Sequence, residues 1–224
     1  LSSQHYWRTP LTGIIGYLEM ILEGTYGKLS PVLKEKLTAI QNLSQELHQR
    51  IEESIEITQF QIGKGTLELK KVQIEDLVKK VLEIFQPQIE QKGLYLKKDL
   101  TEGPLPKIKL DPKRIFEVFS NIIDNAIKHT EKGGITIGLR FLKEKFSILF
   151  LVRDTGIGIP KEELASLGKF LFERGKLAKE LTPMGKGIGL YLSNLIVQAH
   201  GGKLWAESEG PGKGSTFYVE LPVK

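Results

Sequence analysis

The sequence predicts an α+β chain in two parts: an antiparallel helical hairpin over residues 1–65, then an α/β sandwich with a mixed sheet over residues 66–224. Three observations predict it. From Leu11 to Gln61 apolar residues recur at helical spacing with almost no strand signal; beyond Gly63-Lys64-Gly65 strand-like and helix-like segments alternate; and two hairpin patterns lie in the second half.

In the first part Leu11, Ile14, Ile15, Leu18, Ile21 and Leu22 mark one helix, and Leu33, Leu37, Ile40, Leu47, Ile51 and Ile55 a second. Gly24, Gly27 and Ser30-Pro31 form the connector, with Ser30 as N-cap and Pro31 at the first helical position. Helices joined by so short a loop run antiparallel. Their apolar positions exceed what one hairpin interface can bury, so a homodimer through the hairpin, a dimeric four-helix bundle, is expected. In the second part the expected order is a strand at 66–70, a helix at 74–91, strands at 93–100 and 107–110, and a helix from Asp111-Pro112 to Lys128. A hairpin at 134–141 and 146–152 comes next, followed by a glycine-rich stretch without clear pattern. A helix at 188–199 and a hairpin at 202–207 and 215–221 close the order.

Composition excludes more than it selects. Of 224 residues 40% are hydrophobic and 26% charged, the balance of a globular protein, and no apolar run approaches the ~18 residues of a membrane span. Zero cysteines rule out disulfides, thiolate metal sites and a cysteine nucleophile, and suit a cytoplasmic location. The net charge of +5 comes from dispersed lysines, so no nucleic acid partner is expected; a polyanionic nucleotide fits the excess equally well.

Four segments of the second part carry chemistry. On the helix, Glu117, Asn121, Asn125 and Lys128 share one face, where amide oxygens suit a hard cation and an ammonium suits phosphate; a merely solvated face fits the same pattern. Asp154-Thr-Gly156-Ile-Gly158 follows a buried strand: its glycines admit a flat ring, and its carboxylate can accept from an exocyclic amine, or the segment is only a turn. Gly185-Lys-Gly187-Ile-Gly189-Leu opens a helix, whose free N–H groups attract anions. The stretch from Gly168 to Met184 reads as a lid.

In this order and spacing, Asn121-Ile-Ile-Asp-Asn125-Ala-Ile-Lys128 and the two glycine segments resemble the N-box and glycine boxes of the GHKL ATP-binding fold. The closing His200-Gly-Gly-Lys-Leu-Trp205-Ala-Glu-Ser208 and Gly212-Lys-Gly-Ser-Thr-Phe217 resemble the same family's C-terminal hairpin. The resemblance implies ATP and Mg²⁺ as cofactors. It makes Asn125 the metal ligand and Asp154 the reader of adenine; Gly185, Gly187, Gly189 and Arg174 hold phosphates, and Phe172 is the lid aromatic. Lys186 adds a phosphate contact or points into solvent. The family's ATP-driven machines carry a glutamate where this chain has Asn121; a carboxamide cannot take a proton from water, which disfavours a chaperone-type hydrolase and favours a kinase.

His5-Tyr6-Trp7-Arg8-Thr9-Pro10-Leu11 resembles the H-box of HisKA-type histidine kinases, usually His-Glu-Leu-Arg-Thr-Pro-Leu. The resemblance implies a two-component sensor kinase core. His5 takes a phosphoryl group from ATP and passes it to an aspartate of a response regulator receiver domain, and Thr9 belongs to the phosphatase pair. Tyr6 replaces the acidic residue that accepts the histidine's proton; a phenol titrating near ~10 is a poor base at pH 7. The alternative is therefore a degenerate kinase acting as an ATP-binding scaffold. Thr9-Pro10 by itself also reads as a helix start, leaving residues 1–8 as a frayed end. His48, His129 and His200 lack such context and read as surface or packing residues. Any membrane attachment is expected through segments outside this sequence, which would make the chain the cytoplasmic part of a membrane-bound receptor.

Overall fold

A computed structural model describes residues 3–100, 104–172 and 188–223, with side chains of 3–8 and 168–172 excepted. The chain divides into two compact units, Leu1–Gln59 and Phe60–Lys224.

The first unit holds helices α1 (Ser3–Leu22) and most of α2 (Pro31–Gln61). The helix runs through Pro10 to Ser3, so the frayed start that Thr9-Pro10 suggested gives way to a continuous helix carrying His5. Proline lacks an N–H, and the Tyr6 carbonyl has no donor from position 10. Ser30 accepts from the Leu33 N–H at 3.3 Å, the N-cap the sequence indicated. Leu11 and Leu18 are buried, yet no residue of α2 is, and Ile14, Tyr17, Leu33, Ile40, Leu43 and Leu47 stand exposed.

The second unit is a mixed α/β sandwich. Its elements are β1 (Lys70–Val72), α3 (Ile74–Gln91), β2 (Tyr95–Leu100), β3 (Ile108–Leu110), α4 (Pro112–His129), β4 (Gly134–Leu142), β5 (Ser147–Asp154), α5 (Lys161–Phe172), α6 (Ile188–Ala199), β6 (Lys203–Glu207) and β7 (Thr216–Pro222). The main sheet has the order β2-β4-β5-β7-β6; β2 and β4 run parallel, and the other neighbours antiparallel. β1 and β3 pair apart from it. The first strand lies at 70–72, a few residues beyond the expected 66–70. It starts where the backbone can pair with Ile108–Leu110, a partner no local pattern names.

One sheet face is apolar because alternate residues point to it. Ile135, Ile137, Leu139, Ile148, Phe150, Val152, Leu204, Val219 and Leu221 are all at most 1% exposed. Helix α4 packs there, with the Phe119 and Phe150 rings stacked at 3.9 Å between centroids. Helix α5 lies where the sequence showed no clear pattern. Pro160 ahead of it and Glu162 and Glu163 in its first turn are start signals, but its apolar face is short.

Candidate functional site

Helix α4 is held at both ends. At its start the Asp111 carboxylate accepts from the N–H groups of Lys113 and Arg114, each at 3.1 Å, and from the Glu68 N–H at 2.9 Å. Burial raises the Asp111 pKa, but these backbone donors and the Arg114 charge outweigh it and leave the carboxyl below its usual value. The Asp111 N–H donates to His200 Nε2 at 2.9 Å, while His200 Nδ1 meets the Ile196 carbonyl at 2.8 Å. These partners make Nδ1 the donor and the ring neutral. Burial lowers the His200 pKa, against the raising effects of the Ile196 bond and the Asp111 charge. His200 is thus a packing residue, joining the end of α6 to the start of α4. At the other end Lys92 Nζ donates to the Ile127 carbonyl at 2.5 Å, a cation closing a helix C-terminus.

Between these anchors α4 presents its polar stripe. Asn121 Nδ2 donates to Ser193 Oγ of α6 at 3.0 Å. Gly189, in the first turn of α6, passes so close that a Cβ there would stand 2.8 Å from Asn121 Oδ1. The asparagine helix and the start of α6 therefore meet at Asn121 and Gly189. Asn125, one turn on, is half-buried and meets no hydrogen-bond partner among the described residues. Lys128 pairs with Asp124 at 2.5 Å and is largely exposed, and Glu117 pairs with Arg114.

The first glycine segment is seated on the end of α4, where the Ile157 N–H donates to the His129 carbonyl at 3.1 Å. Asp154 is 4% exposed, and its Oδ1 accepts from the N–H groups of Gly156 at 2.8 Å and Ser215 at 3.2 Å. Its Oδ2 accepts from Ser215 Oγ at 2.5 Å. Gly158 has φ +69°, and a Cβ there would collide with the Gly210 carbonyl oxygen at 2.1 Å. The 208–215 loop closes over this segment. Gly212 and Gly214 donate to the carbonyls of Ile157 and Gly156, and Ser208 Oγ accepts from the Ile159 N–H. Ser215 is the residue sequence reasoning missed; a small hydroxyl inside Gly-Lys-Gly-Ser was the available signal.

The Asn121 side of α4 thus meets the start of α6, and the Asp154–Gly158 segment is seated at the C-terminal end of the same helix. Gly185, Lys186, Gly187 and Arg174 lie outside the described residues, as do the side chains of His5 and Phe172. Thr9 sits exposed on α1. Among the described residues no group of three or more His, Cys, Asp or Glu side chains could hold a metal, and no helix is long and apolar enough to cross a membrane.

The fold is a mixed α/β sandwich that a helical hairpin precedes along the chain. Residues 110–224 match the family described as histidine kinase-, DNA gyrase B- and HSP90-like ATPase, and residues 5–63 match the His Kinase A (phospho-acceptor) domain. The chain belongs to the histidine kinases and carries the catalytic core of a sensor kinase.

Relatives bear this out. The chain is 33% identical over 219 residues to the circadian input-output histidine kinase CikA of Synechococcus elongatus, covering 97% of this chain and 29% of that protein. It is 33% identical over 222 residues to the adaptive-response sensory kinase SasA of a Synechococcus species, covering 98% and 57%. Among solved structures, full-length ShkA in complex with AMPPNP superposes with TM-score 0.81 at 26% identity, covering 98% of this chain and 44% of that one. The chain thus spans less than two thirds of the curated relatives named here.

Proposed function

We propose that residues 66–224 bind ATP with Mg²⁺ and that the hairpin of residues 1–65 receives the γ-phosphoryl group on His5, then passes it to an aspartate on a response regulator receiver domain. The observations that support the reading are the junction of Asn121 with Gly189 and a buried Asp154 held by three hydrogen bonds. Ser215 and Gly156 fix the Asp154 carboxylate, leaving lone pairs for the exocyclic amine of adenine. The start of α6 offers N–H groups and a positive dipole end to phosphate.

The Asn125 carboxamide fits Mg²⁺: it is a hard oxygen donor, half-buried and unpartnered among the described residues. When bound there with the nucleotide, the ion would neutralise phosphate charge and orient the triphosphate. Asn121 bridges to Ser193 and has no basic oxygen with which to activate water, which favours transfer to His5 over hydrolysis. The exposed Ile14, Tyr17, Ile40, Leu43 and Leu47 support a homodimer through the hairpin, since α2 buries none of its residues in one chain. The reading implies a cytoplasmic site of action, where ATP is available.

Tyr6 favours a second reading, a nucleotide-binding scaffold with little transferase activity. Labelling from γ-labelled ATP with Mg²⁺, compared between the parent chain and His5→Gln, separates the two. Label on the parent that His5→Gln abolishes is the expected result; equal labelling would eliminate the kinase mechanism. Chasing labelled chain with a receiver domain should then move the label to an acid-stable, base-labile aspartyl phosphate.

A further inference from the structure

Resting on the ATP and Mg²⁺ reading, we propose that Ser193 of α6 is a positioning residue that couples the metal to the nucleotide. It holds Asn121 against α6 and so sets the spacing between Asn125 and the start of that helix. The two helices run antiparallel. The start of α4 meets the end of α6, where the Asp111 N–H donates to His200 Nε2, and farther along α4 Asn121 meets Gly189 in the first turn of α6. Followed in that sense, α6 opens its N-terminal end on the side of Asn121 where Asn125 stands one turn on.

Ser193 sits one turn after Gly189, and its Oγ accepts from Asn121 Nδ2 at 3.0 Å, across 72 residues of sequence. It is 3% exposed, on a helix whose Leu190, Leu192, Ile196 and Val197 are buried as well. A hydroxyl so buried is costly unless bonded, and an apolar side chain carries no such cost; the bond to Asn121 is what this hydroxyl contributes. A Cβ at Gly189 would stand 2.8 Å from Asn121 Oδ1 but 3.3 Å from Nδ2. The carboxamide thus turns its oxygen to the first turn of α6 while its nitrogen is tied to Ser193.

With Nδ2 released, the Asn121 side chain is free to leave this gap for another rotamer, and α6 loses a fixed distance from the stripe that carries Asn125. Mg²⁺ tolerates little departure from octahedral geometry, so a cation held by Asn125 together with phosphates at α6 needs the two helices at one separation. A tie between the helices therefore acts on the coupling of metal and nucleotide. The adenine end, assigned to Asp154 on a separate segment, keeps its own hydrogen bonds.

ADP binding to the full chain by calorimetry, with Mg²⁺ and with a chelator in its place, reads the coupling as the ratio of the two affinities. In the parent Mg²⁺ should tighten ADP binding. Ser193→Ala should shrink that ratio about tenfold, roughly the worth of one hydrogen bond, and leave the affinity in chelator unchanged. Asn121→Ala should lose the same factor, and the Ser193→Ala/Asn121→Ala pair no more than either alone, because Ser193 acts through Asn121. Ser193→Thr, which keeps the hydroxyl, should hold the ratio near the parent's. Equal weakening with and without Mg²⁺ marks a merely structural role and overturns the proposal, as does an unchanged ratio in Ser193→Ala or additive losses in the pair. Should Ser193→Ala fail to fold, Asn121→Ala decides, and a ratio equal to the parent's overturns it. A parent whose ADP affinity ignores Mg²⁺ removes this proposal and leaves nucleotide binding standing; a parent that binds no ADP under either condition removes the ATP reading itself.

Discussion

Replacing Ser215 by alanine deletes the hydroxyl that donates to Asp154 Oδ2 at 2.5 Å, while both backbone donors to Oδ1 remain. Both residues are buried, Asp154 at 4% and Ser215 at 9% exposure, so water does not readily replace the lost donor. A hydrogen bond to a charged group is worth about 1.5–3 kcal/mol. For a domain of this size each kcal/mol moves the melting midpoint by roughly 2–4 °C, so the drop should be about 3–12 °C. Part of the loss should also reach the ligand, because a carboxylate free to rotate no longer presents a fixed lone pair to adenine. About 1.4 kcal/mol of that cost means tenfold weaker ADP binding. Differential scanning fluorimetry and calorimetry read both quantities. Ser215→Thr keeps the hydroxyl and should stay closer to the parent in each. If Ser215→Ala leaves both midpoint and ADP affinity unchanged, Asp154 is not held as described and its role in reading adenine loses its support.

Two further outcomes follow from the anchors of α4 and α6. Gly189→Ala would drive a methyl to 2.8 Å from Asn121 Oδ1, displacing the side chain that bonds Ser193; overpacking of this kind costs about 1–3 kcal/mol, and ADP binding by calorimetry should weaken about tenfold or more. Acidification should lower the stability of the second unit in two stages. His200 is held neutral below its ordinary 6.5, so its contribution is complete above 6.5 and is lost as pH falls from there through the depressed value. Asp111 is depressed below 3.8, so its contribution is present above 3.8 and is lost as pH falls farther. Melting midpoints across pH should show the first stage disappear in His200→Ala, at the cost of a lower midpoint at neutral pH.

Much of the site was legible because its chemistry is local. Asn121 and Asn125 share a helix face by their spacing of four, and Asp154 is tied to Gly156 two residues away. Asp111-Pro112 announced its helix correctly for the same reason: the cap satisfies N–H groups two and three residues on. Ser215 and His200 were not legible in this way. Their partners, Asp154 and Asp111, lie 61 and 89 residues distant, and nothing in a hydroxyl or an imidazole names a partner that far along the chain. Helix α5 was missed for a different reason, since much of its sequence lacks a long apolar face and its start signals sit beside a glycine-rich segment.

By itself the sequence determined the helical hairpin, the alternating sandwich and the stripe of asparagines, since helix and strand periods and cap chemistry act over a few residues. Tertiary structure alone decided which distant groups complete them: Ser193 and Gly189 against Asn121, Ser215 on Asp154, and His200 on the N–H of Asp111. Those pairings exist only once the sheet order β2-β4-β5-β7-β6 and the helices across it bring remote segments within hydrogen-bond reach, a condition set by burial and closure of the whole unit.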